Sequence, residues 1–171
     1  MEEEDVWDIR AYRGLPEVAQ FLGHPPLGER EARELVADWL QDTSAVTVVV
    51  EQAGRVVGDV RLRFRRSSAM APATTRAVEA AIGYAFHPSV HGQGLATESV
   101  QAVLEVAVVA GRARRVTARV FAPATPSSRL LARLGFTADG IDRAAVLAPD
   151  GVTWWDDELW SLLPGADGAG C

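Results

Sequence analysis

The sequence predicts a single mixed α/β domain, and three stretches predict it. From Glu29 to Gln41, the residues Ala32, Leu35, Val36, Trp39 and Leu40 recur at helical spacing. From Val46 to Phe64 the chain turns β-branched and alternating, with Ala53-Gly54 at the bend. From Ala80 to Gly111 an apolar strand, a glycine-bearing turn and a long helix follow one another. Helices and strands therefore mix along one chain, the mark of an α/β or α+β domain.

Glu4 to Arg13 is helical in composition. Pro16 suits the first turn of a second short helix, which runs to about Phe21 and ends at Gly23. His24-Pro25-Pro26-Leu27-Gly28 is a loop before the amphipathic helix of Glu29–Gln41. Val46–Glu51 is a strand and Arg55–Phe64 its partner. In that partner Val57, Asp59, Arg61 and Arg63 alternate with Gly58, Val60, Leu62 and Phe64, the period of a half-exposed strand. Small polar residues make Arg65–Thr75 a mobile loop. The central strand covers about Val78 to His87. The helix from Leu95 buries Leu95, Val100, Val103, Leu104, Ala107 and Val108 and stops at Gly111. Val116–Phe121 is a strand, broken by Pro123 and Pro126, and Ser127–Leu134 is a helix with Gly135 at its C-terminal end. Phe136–Val146 and Thr153–Leu163 form a hairpin about Pro149-Asp150-Gly151. No repeat or linker interrupts residues 1–163, which form one domain; residues 164–171, rich in glycine and alanine, form a flexible tail.

Composition removes several chemistries. With 171 residues, 48% hydrophobic and 23% charged, the chain can bury an ordinary globular core. All 17 basic residues are arginine. A Walker-type loop, a Schiff base and pyridoxal phosphate attachment each need a lysine, so all three are excluded. A net charge of -6 argues against non-specific nucleic-acid binding and mildly favours a basic acceptor, unless it serves solubility alone. The one cysteine, Cys171, permits no disulfide within the chain. His24, His87 and His91 lack cysteine or acidic companions at ligand spacing, so no metal site is expected. Glu2, Glu3, Glu4 and Asp5 make the N-terminus unlike a targeting peptide, and no apolar run reaches membrane-spanning length. A soluble, cytoplasmic protein is expected, with no nucleic-acid or membrane partner.

The glycine turn carries the most specific chemistry. Gly92 and Gly94 let the backbone bend tightly and meet a ligand with no side chain between. The first turn of the following helix offers unpaired N–H groups at the positive end of its dipole. Together they form an anion site suited to phosphate or pyrophosphate. A dinucleotide-binding unit would place such a turn on its first strand, with an acidic residue about twenty positions on. Here the turn comes halfway along, and Arg114, Arg115 and Val116 occupy that region.

The order of elements and the segment His91-Gly92-Gln93-Gly94-Leu95-Ala96 resemble the GNAT superfamily of acyl-CoA N-acyltransferases and its Gln/Arg-x-x-Gly-x-Gly/Ala signature. His91 stands where that signature has Gln or Arg. Ile82-Gly83-Tyr84 on the preceding strand, Ser127 ahead of Leu134-Gly135-Phe136, and the ending with Trp154 and Asp156 are similar to the RimJ/RimL-type branch. The resemblance covers about Glu3 to Leu163. It implies a central, mixed, mostly antiparallel sheet, splayed at its two middle strands and flanked by helices. It implies acetyl-CoA as co-substrate and an amine as acceptor, either a protein N-terminus or a small molecule such as an aminoglycoside, with a homodimer as one assembly. A non-catalytic acyl-CoA sensor on the same fold is the alternative.

The same resemblance implies site residues. Backbone N–H groups from Gly92 to Thr97 (Gly92, Gln93, Gly94, Leu95, Ala96 and Thr97) would hold the pyrophosphate, with Phe86, His87 and His91 beside them. Pantetheine would lie in the splay as a pseudo-strand. A backbone N–H near Phe86 would stabilise the oxyanion. Ser127 would protonate the departing thiolate, or cap a helix, or both. Many family members carry a glutamate where this chain has Ala81. Glu79, two residues earlier on the same face, is the replacement base, or else a solvated strand end; Asp59 and His87 are weaker candidates. The branch's asparagine three residues before the serine is Ala124 here, and the opening strand of the family has almost no room before Glu4. Glu98 complements the helix dipole from outside the phosphate site. Trp39, Trp154, Trp155 and Trp160 are core or wall, and one of Trp154 and Trp155 faces out.

Overall fold

The computed structural model describes residues 1–66, 78–109 and 113–164. After a short 3-10 turn at Glu3–Asp5 come α1 (Val6–Arg13), α2 (Pro16–Ala19) and α3 (Glu29–Gln41). Then follow β1 (Ala45–Gln52), β2 (Arg55–Arg66), β3 (Val78–Phe86), α4 (Leu95–Val109), β4 (Arg115–Phe121), α5 (Thr125–Arg133), β5 (Thr137–Leu147) and β6 (Trp154–Leu162). The strands form one sheet in the order β1-β2-β3-β4-β6-β5. Every neighbouring pair is antiparallel except β3 and β4. The mixed, mostly antiparallel sheet flanked by helices is thus present. Most of the loop expected at 65–75, the helix stop at Gly111 and the tail after Pro164 lie outside the described residues.

Side-chain alternation divides the sheet into two faces. One face packs Val60, Leu62, Ala80, Ile82, Val116, Ala118 and Val120 into a cluster with Val100, Val103 and Leu104 of α4 and Leu130 and Leu131 of α5. The other face, on the β2–β3 side, meets Val6, Ile9 and Tyr12 of α1 and Ala32 and Val36 of α3. Helix α3 follows its sequence pattern except at Leu40, which is exposed.

A buried ion pair joins α1 to β2. Arg13 donates from Nε to Oδ2 and from Nη2 to Oδ1 of Asp59, and the Tyr12 hydroxyl adds a third bond to Oδ2. Asp59 is fully buried, so the half-exposed face expected for this strand fails at that position. Trp39 lies against both the Arg13 and the Arg61 guanidinium, at 4.9 and 5.6 Å from its ring centroid. This cation–π contact replaces water that the buried Arg13 has lost.

Helix α5 starts at Thr125, with Ala124 at its N-cap, two residues earlier than the sequence pattern gave. Ser127 therefore lies inside the first turn and is not a cap. Its neighbour Ser128 donates to Glu158 Oε2 at 2.6 Å, and Trp160 Nε1 donates to the same oxygen at 2.9 Å. The Ser128 bond pins the first turn of α5 to β6, and the Trp160 bond, within β6, fixes the Glu158 carboxylate that receives it.

Candidate active site

Strands β3 and β4 pair only over Glu79↔Arg115, Ala80↔Val116 and Ala81↔Thr117. Beyond Ala81 the two strands separate. On its other side β3 stays paired with β2 up to Phe86↔Gly58. His87 N–H donates to Val57 O at 2.8 Å, which makes that pair a hydrogen-bonded one. Antiparallel pairs alternate, so Tyr84 and Phe86 direct their N–H and carbonyl groups away from β2 and into the gap. The gap is therefore edged by backbone able to bond an extended ligand.

The glycine turn closes one end of this gap. His87 caps the turn at Pro88–Val90 by accepting from Ser89 N–H at 3.1 Å. Gly92 and Gly94 have φ of +75° and +83°, the left-handed region that glycine tolerates. A Cβ at either would meet no atom within 4 Å, so the space before the turn is open. The first bond of α4 runs from Glu98 N–H to Gly94 O at 3.0 Å. The N–H groups of Leu95, Ala96 and Thr97 have no main-chain partner among the described residues. Arg133, at the end of α5, reaches Thr97 Oγ1 at 3.4 Å and brings a guanidinium to this turn. Open space, unpaired donors and a neighbouring cation suit a pyrophosphate.

A cleft of about 1120 Å³ joins the turn to the gap. Of the residues expected for the cofactor, Phe86, His91, Gly92, Gly94, Ala96, Thr97 and Ser127 line it. His87, Gln93 and Leu95 do not. The His87 ring is spent on the turn, Gln93 Nε2 donates to Ser89 O at 2.8 Å, and the Leu95 side chain packs into the core. Glu98, expected outside the phosphate site, also faces the cleft.

A wall made by α2 and the turn after it, with Glu17, Val18, Phe21 and Leu22, was not legible in the sequence. Nor were Tyr84 and Arg133, which also line the cleft. Tyr84 was legible only as an apolar strand residue. Its hydroxyl lies 3.4 Å from Ser127 O across the gap, and burial pushes the phenol up to about 12.

Glu79 needs correction as the replacement base. It is buried at the closed end of β3, ion-paired to Arg65 at 2.9 Å and Arg114 at 3.3 Å, and it does not line the cleft. Seven residues separate it from Phe86 along an extended strand, a span of roughly 23 Å. Asp59 is committed to Arg13 and Tyr12, and His87 to its turn. Ala81 and Gly83 are exposed on the face opposite α4 and α5.

A family model described as an acetyltransferase (GNAT) domain matches residues 1–137. An uncharacterised N-acetyltransferase, YnaD of Bacillus subtilis (strain 168), is 29% identical over 82 residues, or 48% of this chain. The match spans about half of that relative, 47% of its length. A GNAT-family acetyltransferase from Bacillus anthracis superposes with a TM-score of 0.78 at 21% identity, covering 96% of this chain and 92% of that one. A spermidine N-acetyltransferase from Vibrio cholerae, in complex with CoA and spermine, gives 0.79 at 17% identity over 96% and 92%. RimL, a ribosomal L7/L12 alpha-N-protein acetyltransferase in complex with CoA, gives 0.78 at 22% identity over 95% and 90%. At these identities the solved structures share the fold. Among the described residues no helix is long and apolar enough to cross a membrane.

Proposed function

Since the chain belongs to the acetyltransferase (GNAT) family, we propose that it moves an acetyl group from acetyl-CoA directly to a primary amine. Residues 1–163 act as one domain in this reading, of the RimJ/RimL type. The observation that carries it is the gap between β3 and β4, which ends at a glycine turn with unpaired N–H groups. Acetyl-CoA supplies the activated acyl group, and the chain's own residues bind it, orient it and manage charge. The N–H groups from Gly92 to Thr97 hold the pyrophosphate, with Arg133 beside them. The free edge of β3 bonds the pantetheine arm. The Phe86 N–H, facing the gap, stabilises the acyl oxygen as it gains charge. Ser127, which lines the cleft, donates its hydroxyl proton to the thiolate that leaves and regains one from the proton that the attacking amine sheds.

The test is thiol release from acetyl-CoA with a panel of peptide N-termini, polyamines and aminoglycosides. Ser127→Ala is expected to lower kcat about 100-fold, the low end for a general acid, with KM for acetyl-CoA within about twofold. An unchanged kcat removes Ser127 from the chemistry. Ala81 favours a second reading, an acyl-CoA sensor, because the exposed position on that strand carries no base. Tight CoA binding with no thiol release on any amine would establish it.

A further inference from the structure

Among the described residues three carboxylates line the cleft: Glu17 of α2, and Glu98 and Glu105 of α4. They stand on different walls. Glu98 lies in the first turn of α4, and Glu105 follows it on the same helical face, roughly 10 Å along. Both belong to the helix that the glycine turn opens, and Glu105 already accepts from Gln101 Nε2 at 3.0 Å. Glu17 comes from the other side of the sheet. Its neighbour Val18 is buried in the cluster that holds α1, α3 and Ala85 of β3. The main-chain carbonyl of Glu17 accepts from Gln20 Nε2 at 3.1 Å, but its carboxylate has no partner among the described residues.

Helix α2 and the turn after it lie across the wide end of the gap. Gln20 N–H donates to Pro16 O and Phe21 N–H to Val18 O, so the helical winding continues to Phe21. Phe21 follows Glu17 by one turn, and the two side chains share a side of this segment. The Phe21 ring stacks on Trp155 at 5.9 Å, and Trp155 packs on Phe121 at 6.4 Å. Phe121 is the last residue of β4. The segment is therefore anchored near Ala85 at the end of β3 and near Phe121 at the end of β4, and Glu17 stands at the mouth between them. Phe86, whose N–H faces the gap, lines the same cleft. With CoA held by the glycine turn, α4, α5 and the edge of β3, the wall left for an acceptor is the one that carries Glu17.

The make-up of this wall narrows the occupant. Glu17 stands among Val18, Phe21 and Leu22, and it is the one ionisable side chain that this segment gives to the cleft. A polyamine or an aminoglycoside carries several ammonium groups, and this wall pairs one of them. A polypeptide brings peptide groups next to its amine, and the apolar side chains here would strip their water without replacing it. We infer that Glu17, Val18, Phe21 and Leu22 form the acceptor subsite, and that the acceptor is a primary monoamine on an apolar body. Glu17 holds the ammonium at the mouth, takes one proton from it and passes that proton to solvent, which its exposure allows. The neutral nitrogen attacks the acetyl carbon, and the C–N bond forms as the C–S bond breaks. The second proton, shed by the nitrogen, restores the one that Ser127 gives to the thiolate. Glu17 thus supplies from the acceptor side what Ala81 leaves absent from β3.

This inference rests on the acetyltransferase reading, and the experiment separates the two. Calorimetry on the full chain saturated with CoA measures the binding of phenethylamine, its uncharged analogue phenethyl alcohol, spermidine and a short peptide with a free N-terminus. Phenethylamine is expected to bind about tenfold tighter than each of the others, the worth of one hydrogen bond to a charged group. Glu17→Gln is expected to bring phenethylamine down to the level of the alcohol. The alcohol's own binding, CoA affinity and melting temperature should stay unchanged, because the Glu17 carboxylate is exposed and holds nothing in the fold. Thiol release from acetyl-CoA is measured alongside. Its kcat/KM for phenethylamine should fall about tenfold or more in Glu17→Gln and recover in part in Glu17→Asp. Amine binding indifferent to Glu17→Gln, or turnover that prefers spermidine or the peptide, overturns the subsite while leaving the acetyltransferase reading intact. Phenethylamine binding through Glu17 with no thiol release on any amine overturns the acetyltransferase reading alone.

Discussion

At the scale of single residues, burial decides which polar groups are chemistry and which are structure. Asp59, Glu79 and Asp157 are all buried carboxylates on strands, and only their partners tell them apart. Asp59 has three donors on its two oxygens and acts as a rivet between α1 and β2. Glu79 is held by two arginines at the closed end of β3. Asp157 takes Arg119 on one oxygen, and its other oxygen has no partner among the described residues. Ser127 and Tyr84 face the same cleft from different elements, but the tyrosine stays protonated, because burial raises its phenol from 10.0 to about 12. A raised folded value means the folded state holds that proton more tightly than the unfolded chain does. Its contribution to stability is therefore complete below pH 10.0 and lost as pH rises toward about 12. Melting temperature is expected to fall more steeply over that window in the native protein than in Tyr84→Phe. Tyr12, also raised by burial and by Asp59, keeps part of the slope in both. Equal slopes in the two proteins would show that Tyr84 is not buried enough to matter.

At the scale of elements, the site depends on where pairing stops. Strand β3 is fully paired to β2, so its far edge is rigid where β4 leaves it. Gly58 allows this, since it sits opposite Phe86, and a Cβ there would lie 2.3 Å from Phe86 Cδ1 and 2.9 Å from Ala85 O. Gly58→Ala is expected to cost about 1–3 kcal/mol by overpacking. It should also raise KM for acetyl-CoA, because Phe86 and Ala85 line the cleft. A variant that melts normally and binds CoA normally would mean that the ring moves aside freely. Helix α5 is held from both sides of the gap, by Tyr84 of β3 and by Glu158 of β6, which Trp160 steadies. Its amphipathic pattern located the helix, but the pattern placed its start at Ser127. The error lay in treating Pro126 as a break, whereas proline fits the first turn of a helix and stands there in α5.

At the scale of the whole molecule, the cleft is assembled from α2, β3, α4 and α5, so a ligand filling it bridges both sides of the sheet. CoA at about 100 times its Kd is expected to add roughly 2.7 kcal/mol of stability, or roughly 5–10 °C in melting temperature. ATP, lacking the pantetheine arm, should give a far smaller shift; an equal shift would reduce the site to a general phosphate binder. The sequence by itself determined the fold class, the glycine turn and the order of the elements, with Glu29–Gln41 exact and most other ends within about two residues. Those features rest on local rules of periodicity, turn chemistry and backbone freedom, which act over a few residues. It also determined the absence of lysine and the alanine at position 81, which narrow the chemistry whatever the fold. Only the tertiary structure decided which carboxylates are spent and which is left over. Glu79 meets Arg114 across 35 positions, Asp59 meets Arg13 across 46, and Asp157 meets Arg119 across 38. Pairings at such separation leave no periodic trace, because they arise from the order of strands in the sheet and not from the order of residues in the chain.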